Sequence, residues 1–378
     1  MRRISVKEVT VGDQFKTGLY IDPESMFVAP GLAVRQVDLD RLESLKIDYL
    51  YTNDPAGETA ARGAFLQRPL ESPRMQAIQS TYSAYITAFQ SVHDGIQQRV
   101  AVDNQRVIEL VKKIIDHLRG SEGDTKEFML YGMQGSSGFL QNAVNAAIIS
   151  ALLGRRLEYS PSQLQDLVVG ALLHDVGMLR IPPEILDKQG SLSAEELRIV
   201  HTYPVHSYRI ITGELSFPDD IGVIALQHQE RWNGGGYPRN LSGKAIDRNA
   251  RIVAVADSFE AMLSKRPYRS SMDGYNAVRA ILRDNGRRFD PEIIKVFIRT
   301  FGIYPRGCLV QLNDAAIGRV VEINPESPLR PQVKIMIARD GHEFSDDDGP
   351  VVNLKDERRM FIVQAINQEE LQSSQQLQ

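Results

Sequence analysis

The stretch "LLHDVGMLRIPPEIL", residues 172–186, ends an apolar helical pattern with a histidine and an aspartate. His174 and Asp175 stand side by side there, and neutral imidazole and carboxylate are the natural ligand pair for Fe, Mn or Zn. A His-Asp pair at a helix end is also a common hydrogen-bonded cap. Taken alone, the pair therefore leaves a metal site and a structural cap both open.

Two segments farther along the chain favour a site. Residues 227–238, "QHQERWNGGGYP", carry His228 from a helix into a glycine-rich loop. Residues 252–269, "IVAVADSFEAMLSKRPYR", place Asp257 within an otherwise apolar helical pattern. A carboxylate in such surroundings is costly unless it is paired or bound to a metal. The His-Asp pair, His228 and Asp257 are therefore the candidate metal ligands.

Three cations follow Asp257 at a short distance, namely Lys265, Arg266 and Arg269. Such a cluster would suit phosphate oxygens, because the guanidinium fork of arginine binds them bidentately. The same residues standing alone would be typical of a solvated surface. A small anionic ligand is therefore compatible with this part of the sequence.

The composition limits the partners and the compartment. Of 378 residues, 44 are Lys or Arg and 48 are Asp or Glu, with no long basic run, which disfavours a nucleic-acid polymer as a partner. The single cysteine, Cys308, is typical of a reducing compartment. The longest apolar run is shorter than the roughly 20 residues that span a bilayer, and the N-terminal arginines precede no apolar core. We therefore expect a cytoplasmic protein without membrane insertion.

Apolar periodicity predicts a mainly α fold. An all-helical domain is preceded by a small β-rich module and a helical pair, and a short β-rich extension follows it. The predicted boundaries are 1–60 for the N-terminal module, 61–120 for a linker and the helical pair, 121–302 for the helical domain, 303–367 for the C-terminal extension and 368–378 for a polar tail.

The first helix of the pair carries an apolar stripe with spacings of four and three, formed by Ile78, Tyr82, Tyr85, Phe89, Val92 and Ile96. Such a stripe either packs within its own domain or forms the seam of a homodimer. The run is shorter than a confident coiled coil, and both alternatives stay open.

The order of four motifs makes a resemblance specific. Residues 172–186, "GGGYP" at 234–238, residues 252–269 and "GRRFDPEIIKVFI" at 286–298 follow one another as they do in the HD-GYP family. The resemblance covers about residues 72–320. It implies the all-helical fold of the HD phosphohydrolases. Typical members hydrolyse the bacterial second messenger cyclic di-GMP with a bound centre of two or three metal ions.

The resemblance also implies roles for single residues. His174 and Asp175 correspond to catalytic positions and, with His228 and Asp257, to metal ligands. The Gly-Tyr-Pro loop lies beside the site in the family and is implicated in contacts with partner proteins such as diguanylate cyclases. The ligand-binding residues implied in this way are Arg231, Lys265, Arg266, Arg269, Gly236, Tyr237 and Pro238.

Six positions depart from the family pattern. Gly138 stands in place of an acidic ligand, Met178 in place of a lysine and Asn233 in place of an aspartate. Histidines of the family are replaced at three positions, by Asn142, Tyr203 and Gln229. An amide oxygen is a poor ligand for Fe, Mn or Zn beside an imidazole.

Two neighbouring histidines are candidate substitutes for the lost ligands. His206 lies three residues after Tyr203, on roughly the same helix face, and could reach a shifted metal ion. His201 lies two residues before Tyr203 and is expected to point elsewhere.

The remaining ligands are expected to hold at most one divalent ion, Fe or Mn, weakly or not at all. Because a phosphodiester hydrolase needs a metal to acidify water and to stabilise charge, three functions stay open. The favoured one is a non-catalytic cyclic di-GMP receptor or scaffold. The alternatives are a phosphodiesterase with a mononuclear or rearranged site, and an interaction module without nucleotide affinity.

Overall fold

The protein, as a computed structural model, divides into two compact units. A helical unit spans Leu70–Phe301, and a β unit combines Met1–Pro69 with Gly302–Gln378. The predicted fold class, mainly α with β-rich modules before and after the helical domain, is confirmed. The structure describes residues 1–366 except 7–8, 10–12, 14, 16, 23–24, 31–33, 35, 46, 54–72, 133–137, 189, 265–271, 343 and 345–347. The candidate phosphate-binding residues Lys265, Arg266 and Arg269 and the predicted polar tail lie outside the described residues.

The N-terminal part of the β unit is a small antiparallel sheet with one helix. Its elements are β1 (Arg2–Ser5), β2 (Leu19–Asp22), β3 (Ser25–Val28), α1 (Gln36–Ser44) and β4 (Tyr49–Thr52). The strand order is β1-β4-β2-β3. Apolar residues of the strands and of α1, among them Leu19, Leu42 and Leu50, are fully buried in one cluster.

The helical unit is built from eleven α-helices within its described residues. They are α2 (Pro73–Gln97), α3 (Asn104–Glu127), α4 (Phe139–Arg156), α5 (Pro161–Leu173), α6 (Pro183–Leu186), α7 (Ala194–Val200), α8 (Tyr203–Arg209), α9 (Asp219–Gln227), α10 (Arg248–Leu263), α11 (Gly274–Arg283) and α12 (Pro291–Phe301). Helix α4 packs against α5 and α10, and α5 packs against α9. These central helices are apolar on most sides, as expected for helices surrounded by others.

The apolar stripe of α2 is buried within the helical unit. Helix α2 packs against α3 and α4, and Phe89, Val92 and Ile96 are almost completely buried in the main core. The stripe therefore serves the unit's own packing, which is one of the two alternatives that its spacing left open.

The C-terminal part of the β unit is a five-stranded antiparallel sheet. Its strands are β5 (Leu309–Leu312), β6 (Ile317–Glu322), β7 (Gln332–Ile337), β8 (Val351–Asn353) and β9 (Ile362–Ile366), in the order β8-β7-β6-β5-β9. Ala29 from the N-terminal segment is buried in the same cluster as Leu309 and Ile337. The two ends of the chain thus share part of one core. In the described part of the chain, every helix is too short or too polar to cross a membrane.

Candidate metal centre

Two histidines occupy equivalent positions at the ends of buried helices. His174 follows the last residue of α5, and His228 follows the last residue of α9. In each ring, Nδ1 lies 2.7 Å from the carbonyl oxygen three residues earlier, that of Ala171 or Ala225. An Nδ1–H that donates to this carbonyl leaves the lone pair of Nε2 available to a ligand. The packing of α5 against α9 brings the two rings together, with centroids 4.9 Å apart.

Asp175 lies between the two imidazoles. Its Oδ2 is 3.2 Å from Nε2 of His174, and its Oδ1 is 3.3 Å from Nε2 of His228. One ligand atom from each of the three residues falls within 4.8 Å of the others. The carboxylate therefore offers one oxygen to each histidine, which is the arrangement of a bridging ligand.

Asp257 borders the His174 side of this cluster. It projects from α10, and its Oδ1 lies 3.7 Å from Nε2 of His174. Its other oxygen accepts a hydrogen bond of 3.4 Å from the side-chain amide of Gln229. The charge that the sequence placed in an apolar helix is thus paired with groups of the cluster.

In this cluster, each charged group favours the charged form of its neighbour of opposite sign. Burial would lower the pKa of His174, but the Asp175 and Asp257 carboxylates outweigh it and hold this pKa well above its usual value. Burial would likewise raise the pKa of Asp175, but His174 and His228 outweigh it and hold this pKa below its usual range. These pKa shifts favour an ion pair between the buried His174 and the partly buried Asp175, and a metal ion would have to displace the proton of that pair.

On the side of His174, the cluster has atoms that could bind a metal ion. Nε2 of His174 and Oδ1 of Asp175 are buried and make no hydrogen bond of acceptable geometry. Each atom has only the charged neighbours described above, and buried polar atoms without a hydrogen bond call for an explanation such as a bound ion. Nitrogen, oxygen and nitrogen donors form a set that suits Fe, Mn or Zn. The residues present therefore fit one metal ion.

The other side of the cluster is occupied by Tyr203, the first residue of α8. Its hydroxyl lies 2.8 Å from Nε2 of His228, and the side chain is buried with a relative exposure of 2%. Burial and then the charge of Asp175 raise the pKa of Tyr203 well above its usual value. With the ring proton of His228 on Nδ1, the neutral phenol can donate a hydrogen bond to Nε2, and this bond would use the lone pair that a metal ion needs on His228.

Asn142 is also engaged away from the cluster. Its side-chain nitrogen is placed to donate to Oε1 of Glu260 at 2.9 Å and to the carbonyl oxygen of Gly138 at 3.1 Å. Glu260 is completely buried on α10 and accepts a second hydrogen bond from the hydroxyl of Ser264. Asn142 thus contributes to the packing of α4 against α10, and Gly138 is the N-cap of α4.

His206 is not brought to the cluster, which in the described part of the chain contains only His174, Asp175 and His228. The residue of α8 that faces the 174–180 segment is Ser207, one helical turn after Tyr203, whose hydroxyl accepts a bond from the amide of Gly177 at 2.8 Å. At i+3, His206 is turned aside. Burial and then the charges of Arg209 and Arg180 lower its pKa.

Among the described residues, the metal cluster does not include His201, in line with the expectation that this side chain points elsewhere. Helix α7 ends at Val200 and α8 begins at Tyr203, so His201 lies in the break between them and helical spacing does not apply. Its ring lines the same cleft as Tyr203. Burial and then the charge of Arg231 lower the pKa of His201.

The Gly-Tyr-Pro loop is anchored by a buried carboxylate. Glu230 accepts hydrogen bonds from the backbone amides of Arg239 at 2.7 Å and Leu241 at 3.0 Å. A Cβ at Gly236 would lie 2.5 Å from the carbonyl oxygen of Gln229, so only glycine allows this close return of the chain. The anchor fixes the position of the loop beside His228.

Replacing Glu230 by glutamine is expected to destabilise the protein by roughly 1–3 kcal/mol, because one backbone amide would face an NH2 group instead of an oxygen. Urea unfolding followed by circular dichroism measures the change. The matched control is Glu184→Gln on α6, an exposed carboxylate whose loss should leave the transition unchanged. Equal transitions for both variants would contradict the anchoring role.

Other candidate residues lie at the loop and in the cleft. Arg231 and Asn233 are exposed near the loop tip, where Oδ1 of Asn233 accepts a bond from the amide of Gly235. Met178 and Gln229 line the cleft, and the peptide bond between Tyr237 and Pro238 is cis.

A cleft of about 390 Å³ opens from the cluster, within the range of small-molecule sites. Its lining includes the acidic side chains of Asp175 and Asp257 and the aromatic side chain of Tyr237. Burial raises the pKa of Tyr237 to about 12. Arg288 supplies a cation that the sequence reasoning missed. The only sequence signal for Arg288 was its place in the motif at 286–298. In the structure, the backbone amide of Trp232 donates a hydrogen bond to the carbonyl oxygen of Arg288, which holds Arg288 next to the loop after His228.

Comparison with known proteins identifies relatives of the helical unit and a family match for the C-terminal β-rich part. A family model described as "HD domain" matches residues 97–293, and one described as "KOW domain associated with HD domain" matches residues 309–374. Cyclic di-GMP phosphodiesterase PA4108 of Pseudomonas aeruginosa is 32% identical over 197 residues, 52% of this chain and 47% of that protein. Cyclic di-GMP phosphodiesterase response regulator RpfG of Xanthomonas campestris pv. campestris is 30% identical over 236 residues, 62% of this chain and 61% of that protein.

Among solved structures, Bd1817, a HDG"Y"P protein from Bdellovibrio bacteriovorus, aligns with a TM-score of 0.49 and 17% identity over 78% of this chain and 97% of that chain. The chain thus spans between 47% and 61% of the length of the two curated relatives named above.

Proposed function

Because the chain belongs to the HD domain family, we propose that its helical unit binds cyclic di-GMP in a signalling role and hydrolyses it slowly or not at all. The names of the curated relatives support the choice of nucleotide. The observation that carries the loss of activity is the hydroxyl of Tyr203, 2.8 Å from Nε2 of His228 in a buried position.

The geometry resembles a centre for two metal ions in which the Tyr203 side chain occupies the place of one ion. Asp175 offers an oxygen to each side, but Tyr203 takes the lone pair of His228, and Gln229 donates to Asp257 instead of offering an imidazole. A pair of metal ions stabilises both the attacking and the leaving oxygen of a phosphodiester. A site limited to one ion loses part of that stabilisation, and the catalytic rate falls with it.

A mononuclear phosphodiesterase is the second candidate. The observation in its favour is the pair of buried atoms without hydrogen bonds, Nε2 of His174 and Oδ1 of Asp175. An ion held there, with Asp257 and a freed His228 in reach, would supply Lewis-acid chemistry to a bound phosphate. The chain itself would contribute Arg288, whose guanidinium would bind an anion in the same cleft, and Tyr203, which fixes the ring of His228.

One experiment separates these functions. Protein purified anaerobically without chelator is incubated with cyclic di-GMP and Mn(II) or Fe(II), and products are followed by chromatography while thermal unfolding reports binding. At a ligand concentration of 100 Kd, binding is expected to raise the free energy of unfolding by about 2.7 kcal/mol. We expect this stabilisation to survive chelation and turnover to be absent. A relative with the full set of histidine ligands serves as the positive control for turnover.

The other results have distinct meanings. Turnover that disappears in Asp175→Asn would replace the receptor by the mononuclear enzyme. An absence of thermal stabilisation by the nucleotide, with or without metal, would leave an interaction module. Binding that depends on metal but produces no turnover would show that the ion at His174 serves affinity only.

The partners and compartment follow the same proposal. Arg231, Asn233 and Gly235 are exposed at the Gly-Tyr-Pro loop, which makes this loop the surface we assign to signalling proteins such as diguanylate cyclases. A reducing compartment, the cytoplasm, is proposed on the single cysteine of the sequence.

A further inference from the structure

Two rings outside the metal cluster are stacked face to face. The imidazole of His201 and the phenol ring of Tyr237 have centroids 3.9 Å apart and planes inclined by 12°. Both residues line the cleft, and each is only partly buried. Rings stacked in this way cover one face of each other, and the outer face that remains is a flat aromatic surface of the kind on which nucleobases stack.

The backbone holds both rings in place without help from a ligand. The amide of His201 donates to the carbonyl oxygen of Leu197 at 2.9 Å at the end of α7, and the amide of Tyr237 donates to the carbonyl oxygen of Gln229 at 3.3 Å. The loop that carries Tyr237 is fixed in addition by the buried carboxylate of Glu230. A surface that is already formed loses little conformational entropy when a ligand binds.

We propose that the His201–Tyr237 stack is the platform for one purine base of the bound cyclic dinucleotide. The inference rests on the proposed function and adds the place where a base is held. Along the cleft, the carboxylates of the cluster are followed by Tyr203 and then by the stack, since Tyr203 contacts His228 on one side and Tyr237 on the other.

The surroundings of the stack favour a base over a phosphate group. Leu197 and Val200 of α7 line the same cleft as His201 and add apolar surface. Arg288 lines the same cleft as His201 and Tyr237, so a guanidinium is available in the cleft that holds the platform. A guanidinium can pair bidentately with O6 and N7 of guanine, so this neighbour selects for guanine over a pyrimidine.

The test compares two substitutions of His201 by calorimetric titration of the full chain with cyclic di-GMP. His201→Ala removes half of the platform and is expected to weaken binding roughly 5- to 100-fold. His201→Phe keeps a flat ring and is expected to bind within about threefold of the unsubstituted protein, because a base stacks on any aromatic face. The matched control is Ile199→Ala, an exposed apolar residue on the same helix end.

A spectroscopic readout separates stacking from a structural role. The chain has seven histidines, so the imidazole protons of His201 can be assigned by comparison with His201→Phe. Cyclic di-GMP is expected to move these protons upfield through the ring current of the base, whereas a cyclic dinucleotide of uracil should move them less.

The outcomes distinguish the platform from the function on which it rests. Unchanged affinity of His201→Ala together with unmoved imidazole protons, while the unsubstituted protein binds, would overturn the platform and leave the receptor intact. Equal losses in His201→Ala and His201→Phe would also overturn it, because they would assign His201 a polar contact. An unsubstituted protein that binds no cyclic di-GMP would reject the proposed function and the platform together.

Discussion

The double substitution Tyr203→His and Gln229→His is expected to raise the metal content toward two ions per chain and to increase cyclic di-GMP hydrolysis at least about 100-fold. Tyr203 already points at Nε2 of His228 from 2.8 Å, so an imidazole at this position starts from the same helix and the same direction. Gln229 lies 3.4 Å from Asp257, where an imidazole would add a nitrogen donor. Metal content is measured by elemental analysis after anaerobic purification with Mn(II), and turnover by product chromatography.

Tyr203→Phe provides the matched control for this substitution. It removes the hydroxyl from His228 and frees one lone pair but adds no ligand, so it should raise turnover far less than the double substitution. Unchanged metal content in the double variant would show that the two replaced positions do not limit the site. The next position to change would then be Asn142, whose side chain is hydrogen-bonded to Glu260 rather than to the cluster.

Gly177→Ala is expected to lower the free energy of unfolding by about 3 kcal/mol. A Cβ at Gly177 would lie 2.7 Å from the hydroxyl oxygen of Ser207 and closer still to the carbonyl oxygen of Tyr203 and the amide nitrogen of Ser207. Two of these three atoms belong to the backbone of α8 and cannot turn away as a side chain would. Helix α8 must therefore shift, and Tyr203 shifts with it.

Thermal unfolding by calorimetry measures this effect, and Gly120→Ala is the matched control. Gly120 lies within α3 with open space around the position of a Cβ, so alanine there should stabilise the helix by up to about 1 kcal/mol. A Gly177→Ala protein as stable as the control would contradict the close approach of α8. Because the chain has two units, the transition of the helical unit is the one to compare.

Much of the fold could be predicted because apolar spacing and capping residues act locally. The helix of Ala194–Val200 begins where the sequence shows Ser193 followed by Glu196, and both hydrogen bonds of the capping box are present. The sharing of a core between Ala29 and the C-terminal strands was not predicted. That contact joins segments far apart in the chain, and no local pattern reports it.

The candidate site was predicted in part for a similar reason. The sequence proposed His174, Asp175, His228 and Asp257 together, and the structure brings the first three within 4.8 Å with Asp257 beside them. The place of His201 in the cleft was not predicted, because helical spacing does not show a helix break of two residues.

Arg288 was missed for a further reason. Its approach depends on backbone bonds between two loops, Trp232 and Asn233 pairing with Arg288 and Arg287. Such pairing leaves no periodic trace in the amino-acid sequence, so an arginine of this kind cannot be told from an ordinary surface cation.

The split β unit has a consequence for biosynthesis. Ala29 is made early, but the residues buried with it, Leu309 and Ile337, leave the ribosome only after the whole helical unit. Until then Ala29 lacks the apolar residues that bury it, and apolar surface exposed during folding favours aggregation. Early folding of the helical unit shortens the flexible connection and lowers the entropic cost of joining the two halves. Variants that slow helical folding should therefore reduce the yield of the β unit as well.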